Sequence, residues 1–319
     1  MTGGDLVSAD YPHLPSTLVQ SLAARSLEDA RRVREERARA LKSRGIDYWH
    51  AGDDDAAIAD YDAANADFTS VIETYSDDTD PEMRGIVVQA LQLRALSHRA
   101  QRDYDAAMAD YASVIETYSD DTDPWVGLLV AETLGERGEW HYDNEDFEAA
   151  VADYTSIIET YIDYTDTDFE DLMRLQVAEA YIKRGALSRL LETTYDDDDA
   201  AIVDFTSVIE TYSDDTYVLV RLQVAEAHIK RGCEHRLQGH LDAAIADYTS
   251  VIEAYSDDTN PQIRKFVAGA LWARGGIHNR QGYYAAAIGD YSSVIETYSD
   301  DTDPEMREVV AIARERRGH

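Results

Sequence analysis

The stretch YDAAMADYASVIETY, residues 104–118, carries apolar side chains at Ala107, Tyr111, Val114, Ile115 and Tyr118, spaced i, i+4, i+7, i+8 and i+11. That period places one apolar stripe along a helix and leaves the acids on its other side. The end of the stretch recurs. A Ser-(Val/Ile)-Ile-Glu-(Thr/Ala)-Tyr block starts at Ser70, Ser113, Ser156, Ser207, Ser250 and Ser293, at spacings of 43, 43, 51, 43 and 43 residues. Fifteen residues, SVIETYSDDTDPEMR, stand letter for letter at 70–84 and again at 293–307. Self-similarity at a fixed period is the mark of a stacked repeat protein. The longer fourth interval holds insertions in YIDYTDTDFEDLMR and SRLLETTYDDDD, where extra loop costs little.

Each unit predicts two helices. The partner helix opens on Asp80, Asp123, Asn260 or Asp303 as N-cap, followed by Pro81, Pro124, Pro261 or Pro304 in the first turn. The remaining prolines, Pro12 and Pro15, precede the repeats, so proline is absent from every predicted helix interior. A helix from about Ser26 starts with the capping pattern SLED, and residues 1–25 are expected to form an N-terminal tail. The last helix, PEMREVVAIARERRGH, repeats the opening of a unit and stops, as a capping half-repeat would.

These units resemble the tetratricopeptide repeat. In the first unit Gly45, Tyr48, Gly52, Ala57 and Tyr61 stand at that family's spacing, and RGCEHRLQGHLDAAIADY and RGGIHNRQGYYAAAIGDY match nearly as well. The resemblance covers about residues 38–319, with a longer period and, in most units, a histidine at the usual aromatic position. It implies an all-α fold: a right-handed α-solenoid of six antiparallel helix pairs over residues 26–319, with an N-terminal helix and a C-terminal half-repeat cap.

Charge narrows the partners. The 319 residues hold 64 acids against 29 bases, a net charge of −35. So acidic a body repels nucleic acid and anionic membrane and favours basic partners or cations. With 44% hydrophobic residues the chain can still bury a substantial core. Cys233 is the only cysteine, which excludes an intrachain disulfide, and no signal peptide or membrane-spanning stretch is predicted, so the expected location is cytoplasmic.

Equivalent residues stack into columns. Arg44, Arg94, Arg137, Arg184, Arg231 and Arg274 precede the small residue of each first helix, and Asp67, Asp110, Asp153, Asp204, Asp247 and Asp290 recur in the second helices. The expectation is an arginine–carboxylate clamp tying helices together. His98, His141, His235 and His278 form another column, one repeat apart and so too far from one another to share a zinc ion. The SDDT loops place Asp77, Asp78, Asp120, Asp121, Asp257, Asp258, Asp300 and Asp301 after helix ends. They form a solvated acidic ridge beside helix N-termini, or they coordinate Ca²⁺, although none has the EF-hand spacing. No other cofactor is implied.

In tetratricopeptide arrays the first helices line a concave groove, and the resemblance places Lys42, Trp49, Arg99, Tyr142, Arg189, Arg236, Trp272 and Asn279 there. Arginines and aromatics are frequent hot-spot residues, and the arginines imply a ligand with some negative charge. The chaperone-tail clamp of related proteins is not expected: Lys42 fits it, but Ile46 stands where an asparagine is required. No phosphate loop, GxSxG or placeable nucleophile is present, so a non-enzymatic scaffold binding a protein or peptide is expected. The alternative is self-assembly, with basic ends (Arg25 to Arg44, and Arg314, Arg316 and Arg317) meeting the acidic body of another copy.

Overall fold

A computed structural model describes residues 54–164, 169–188, 190–191 and 198–318, together with Arg32 and Glu36. Among these residues there are twelve helices and no strand. They are α1 (Asp54–Tyr75), α2 (Pro81–Ala100), α3 (Tyr104–Tyr118), α4 (Pro124–Asp143), α5 (Phe147–Tyr161) and α6 (Glu170–Ser188). They continue as α7 (Asp198–Tyr212), α8 (Val218–Leu237), α9 (Leu241–Tyr255), α10 (Pro261–Arg280), α11 (Tyr284–Tyr298) and α12 (Pro304–Arg317). Even-numbered helices are the first of a pair and odd-numbered ones the second. Arg32 and Glu36 are helical and pair at 3.8 Å. The rest of the predicted N-terminal helix and tail, with Lys42, Arg44 and Trp49, lies outside the described residues, as does Arg189.

The first helices begin where the caps stand. Asp80, Asp123, Asn260 and Asp303 accept the N–H of the residue two positions on, at 2.9 to 3.0 Å. Each first helix then turns into its partner through a residue in the left-handed region: Arg102 (φ 63°), Glu145 (φ 61°), Gly239 (φ 82°) or Gly282 (φ 81°). The N–H after that residue returns to the carbonyl of the column histidine, at 2.9 Å on His98 and His141, 2.7 Å on His235 and 2.8 Å on His278. This is the bond that closes a helix C-terminus of the Schellman type.

Two compact units follow, residues 1–137 and 138–319. In the first, α1 packs on α2 and α2 on α3. Its core joins Ala64, Phe68, Val71, Ile86 and Ala90, and further on Ala95, Ala107 and Tyr111. In the second, each helix from α5 to α12 packs on the next, and the first helices α6, α8, α10 and α12 also pack on one another in succession. This is the sequential helix-pair packing of a tetratricopeptide-like α-solenoid. The small-residue column explains how closely the pairs approach. A Cβ built on Gly232 would stand 2.8 Å from the Tyr248 ring, and one on Gly275 2.9 Å from the Tyr291 ring. Burial of such aromatic–glycine contacts holds one helix of a pair on the other.

Candidate functional site

Arginine and aspartate meet along the repeats. Arg94 donates through Nε and Nη2 to both carboxylate oxygens of Asp110, at 2.9 and 2.5 Å, and through Nη1 to Thr69 Oγ1 at 2.8 Å. Arg184 does the same with Asp204, at 3.0 and 2.7 Å, and with Thr155 at 3.1 Å. Arg231 holds Asp247 and Thr206, and Arg274 holds Asp290 and Thr249. Each guanidinium therefore ties its own first helix to the second helix of the same unit and to the second helix of the unit before. Asp110, Asp204, Asp247 and Asp290 are buried. Asp67, Arg137 and Asp153 are engaged in contacts as well. Clamped arginines of this kind hold helices; their donors are taken up by carboxylates and hydroxyls.

The histidine column faces the same aspartates. His278 Nδ1 is 3.0 Å from Asp290, His141 Nε2 4.0 Å from Asp153, and His235 Nε2 3.9 Å from Asp247. His228, from outside the column, reaches Asp247 at 2.9 Å. Burial raises the Asp247 carboxyl, but the hydrogen bonds from His228 and Arg231 and their charges outweigh it and hold the group below the usual carboxylate range. His235 is held below the ordinary histidine range, first by burial and then by Arg231 and His240, against the pull of Asp247.

A second arginine column, not anticipated from the sequence, occupies the acidic loops. Arg84 pairs with Asp121 at 2.6 Å, Arg174 with Asp215 at 2.9 Å, Arg221 with Asp258 at 2.7 Å and Arg264 with Asp301 at 2.9 Å. Arg221 and Arg264 also lie over the rings of Tyr255 and Tyr298, at 5.4 and 5.3 Å. The same aspartates each accept the N–H two residues on, at Asp123, Tyr217, Asn260 and Asp303, and Asp78 does so at Asp80. An acid after a helix C-terminus is thereby held by a guanidinium, a backbone N–H and the start of the next helix. Burial raises the Asp121 carboxyl, and Arg84 and the Asp123 N–H more than reverse it. Among the described residues, no group of three or more His, Cys, Asp or Glu side chains is placed to hold a metal ion. The signal was present in the letters. Where Gly127 replaces the arginine, Tyr164 replaces the aspartate, so both partners are lost together.

The predicted groove residues fall into separate places. Arg99 donates to the Tyr111 hydroxyl at 3.4 Å. Arg236, Trp272 and Asn279 come together in one cleft of about 220 Å³, which Cys233, Arg280 and Arg316 also line. Trp272 is 42% exposed there. Tyr248 donates to Cys233 Sγ at 3.5 Å, and Arg236 bonds to its hydroxyl. Tyr142 is 48% exposed and lines a second cleft of about 350 Å³ with Glu139, Asp143, Tyr154, Lys183 and Leu187. Arg280 had no place in the sequence expectation, and Arg316 was expected only as part of a basic end. Arg280 ends its helix, and Arg316 sits in the half-repeat, where a cap was expected instead of a lining.

Models of the tetratricopeptide repeat match residues 21–69 and 229–302, and a second such model matches residues 89–121. The chain belongs to the tetratricopeptide repeat superfamily. Its members are protein-interaction scaffolds that generally need no cofactor and carry no enzymatic activity. Among solved structures the chain is similar to a tetratricopeptide repeat protein from Parabacteroides merdae, at 14% identity over 88% of this chain and 99% of that one, with a TM-score of 0.36. It is similar also to the TPR2AB-domain:pHSP90 complex of yeast Sti1, at 17% identity over 87% and 98% of the two chains and a TM-score of 0.26. A third likeness is to the P58(IPK) TPR domain, at 15% identity over 98% and 96%, with a TM-score of 0.27. No curated protein matches the chain. No helix among the described residues is long and apolar enough to cross a membrane.

Proposed function

We propose that this chain is a non-enzymatic scaffold that holds a peptide or protein segment on the face formed by its first helices. One observation carries this: Arg236, Trp272 and Asn279, from two different first helices, converge on a single open cleft. An exposed indole beside arginines is the composition of a binding hot spot, because it offers apolar area and directional donors together. A cleft open along a row of helices suits an extended chain better than a reacting small molecule, which needs enclosure.

The test is capture from an extract of the source cells by immobilised wild-type chain and by a Trp272→Ala, Arg236→Ala variant. The double variant is expected to lose the retained partner while its helical circular dichroism stays that of the wild type. Equal capture by both would place the partner elsewhere on the molecule. Light scattering separates the alternative. A scaffold of this kind stays at 35.7 kDa, whereas assembly through basic ends would give a larger mass that falls as salt screens the charges.

A further inference from the structure

The face of the first helices in residues 138–319 changes sign along its length. At its α4–α6 end, Glu139 and Asp143 line the cleft around Tyr142, and Lys183 is committed to Glu139 at 2.5 Å. Glu179, on α6, is half-buried next to them and has no ion pair within 4.0 Å among the described residues. Burial raises its carboxyl, the charges of Glu139 and Glu226 add to this, and Lys183 only partly opposes them. The next equivalent position, Glu226 on α8, holds Lys230 at 3.4 Å. On α10 the pattern breaks: Gly269 follows in the column of Glu179 and Glu226, and Arg280 stands where α4 has Asp143.

From there the face is basic. Arg236, Arg280 and Arg316 line one cleft, and none of them has an ion pair within 4.0 Å among the described residues. In a chain with 64 acids and 29 bases, three arginines drawn to one cleft without a carboxylate are a deliberate exception. The clamp arginines Arg94, Arg184, Arg231 and Arg274 each have their acid. Charges left unmatched on a protein surface are matched by a partner of complementary pattern.

We propose that this face takes an extended peptide segment of dipolar charge, with a lysine or arginine seated on Glu139, Asp143 and Glu179 and an aspartate or glutamate on Arg236, Arg280 and Arg316, the Trp272 indole packing against the acidic half of the segment. This rests on the first-helix face being the binding face. From Glu179 on α6 to Arg280 on α10 is two steps between neighbouring first helices, at roughly 10 Å each. An extended chain covers that in about six residues, at roughly 3.3 Å per residue. The segment therefore carries its opposite charges about six residues apart. Neither a wholly acidic nor a wholly basic segment satisfies both ends.

Three rhodamine-labelled decapeptides test this by fluorescence anisotropy against the full chain at low salt. One has two lysines at one end and two glutamates at the other, with Ala-Tyr-Leu spacers between; the others replace all four charges by lysine or by glutamate. The mixed peptide, in whichever of its two sequence orders fits, is expected to bind about fivefold or more tighter than either uniform peptide, and Arg280→Glu with Arg316→Glu should abolish that preference. Equal or tighter binding of the all-lysine peptide would overturn the inference, since the acidic surface alone would account for it. Binding that ignores the charge pattern but is lost in Trp272→Ala would overturn the inference and leave the binding face standing. No binding to any peptide, or binding unaffected by Trp272→Ala, would remove the face and the inference together.

Discussion

Asp247 concentrates the chemistry that holds the array. It is 3% exposed and receives Arg231 at 2.6 and 3.1 Å and His228 at 2.9 Å. Removing Arg231 leaves a buried carboxylate with one partner, so Arg231→Ala is expected to cost about 3 kcal/mol by chemical denaturation. Adding Asp247→Ala should recover part of that, because the uncompensated charge is gone; a double variant less stable than the single one would argue against the clamp. The same residues give the protein a pH response. The folded His235 takes up its proton at lower pH than the unfolded chain does, so its contribution is present above about pH 6.5 and is lost as pH falls below that. Asp247 and Asp121, also depressed when folded, contribute above the ordinary carboxylate range and are lost as pH falls through their lower folded values. Melting temperature between pH 8 and pH 3 should therefore fall in two steps. In His235→Asn the upper step should shrink, and an unchanged upper step would assign it to another group.

At the scale of the helix pair, the turns are not equally comfortable. Gly239 and Gly282 adopt their positive φ without a Cβ, while Glu145 holds φ 61° with one. Glu145→Gly is thus expected to stabilise the chain by about 0.5–1 kcal/mol, read as a higher denaturant midpoint; a lower midpoint would show that the glutamate side chain holds the turn. Much of this scale was legible in the letters. Asp80, Asp123, Asn260 and Asp303 before proline or a helical run fixed the helix starts, because caps and prolines act on their own neighbours. The clamp partners Arg94 and Asp110 could be paired because both recur in register. The Arg264–Asp301 column is not legible at Asp301's own helix end, because its arginine stands 37 residues earlier. Thr69, Thr155, Thr206 and Thr249 are illegible for the same reason: a hydroxyl shows its role only when a guanidinium 25 or 29 residues further on is brought to it. The cleft arginines Arg280 and Arg316 belong to no column, and a repeat-based alignment has no power over residues that break the repeat.

For the molecule as a whole, the repeat is a chain of links, and the links are not uniform. The threonine that receives the clamp arginine is replaced by Ala112 in the second unit, and the loop pair is replaced by Gly127 and Tyr164 around the third. Tyr164 instead meets Tyr161 edge to face, at 6.0 Å between centroids. Stability in a linear array is a sum over neighbours, so thinner links mark where it parts first. Amide exchange at α9 to α11, where clamps, threonines and loop pairs are all present, should accordingly be slower than at α4. Exchange at α4 as slow as at α10 would mean apolar packing alone makes up the difference.

The identical fifteen-residue segments at 70–84 and 293–307 make the parts of this protein interchangeable. Arg94, Arg184, Arg231 and Arg274 each meet the equivalent aspartate of their own unit, and the helices from α5 to α12 pack on equivalent neighbours. The chain can therefore be edited in whole units, as a strip is cut at its perforations. Excision of residues 218–260 would join Tyr217 to Pro261 and leave every remaining loop aspartate an equivalent helix to cap. Such a chain should keep its helicity per residue but lose Arg236 and with it one wall of the basic cleft. Length and charge pattern would then be separately adjustable: whole units added or removed to set the span, and single residues on the first helices to set what lies along it.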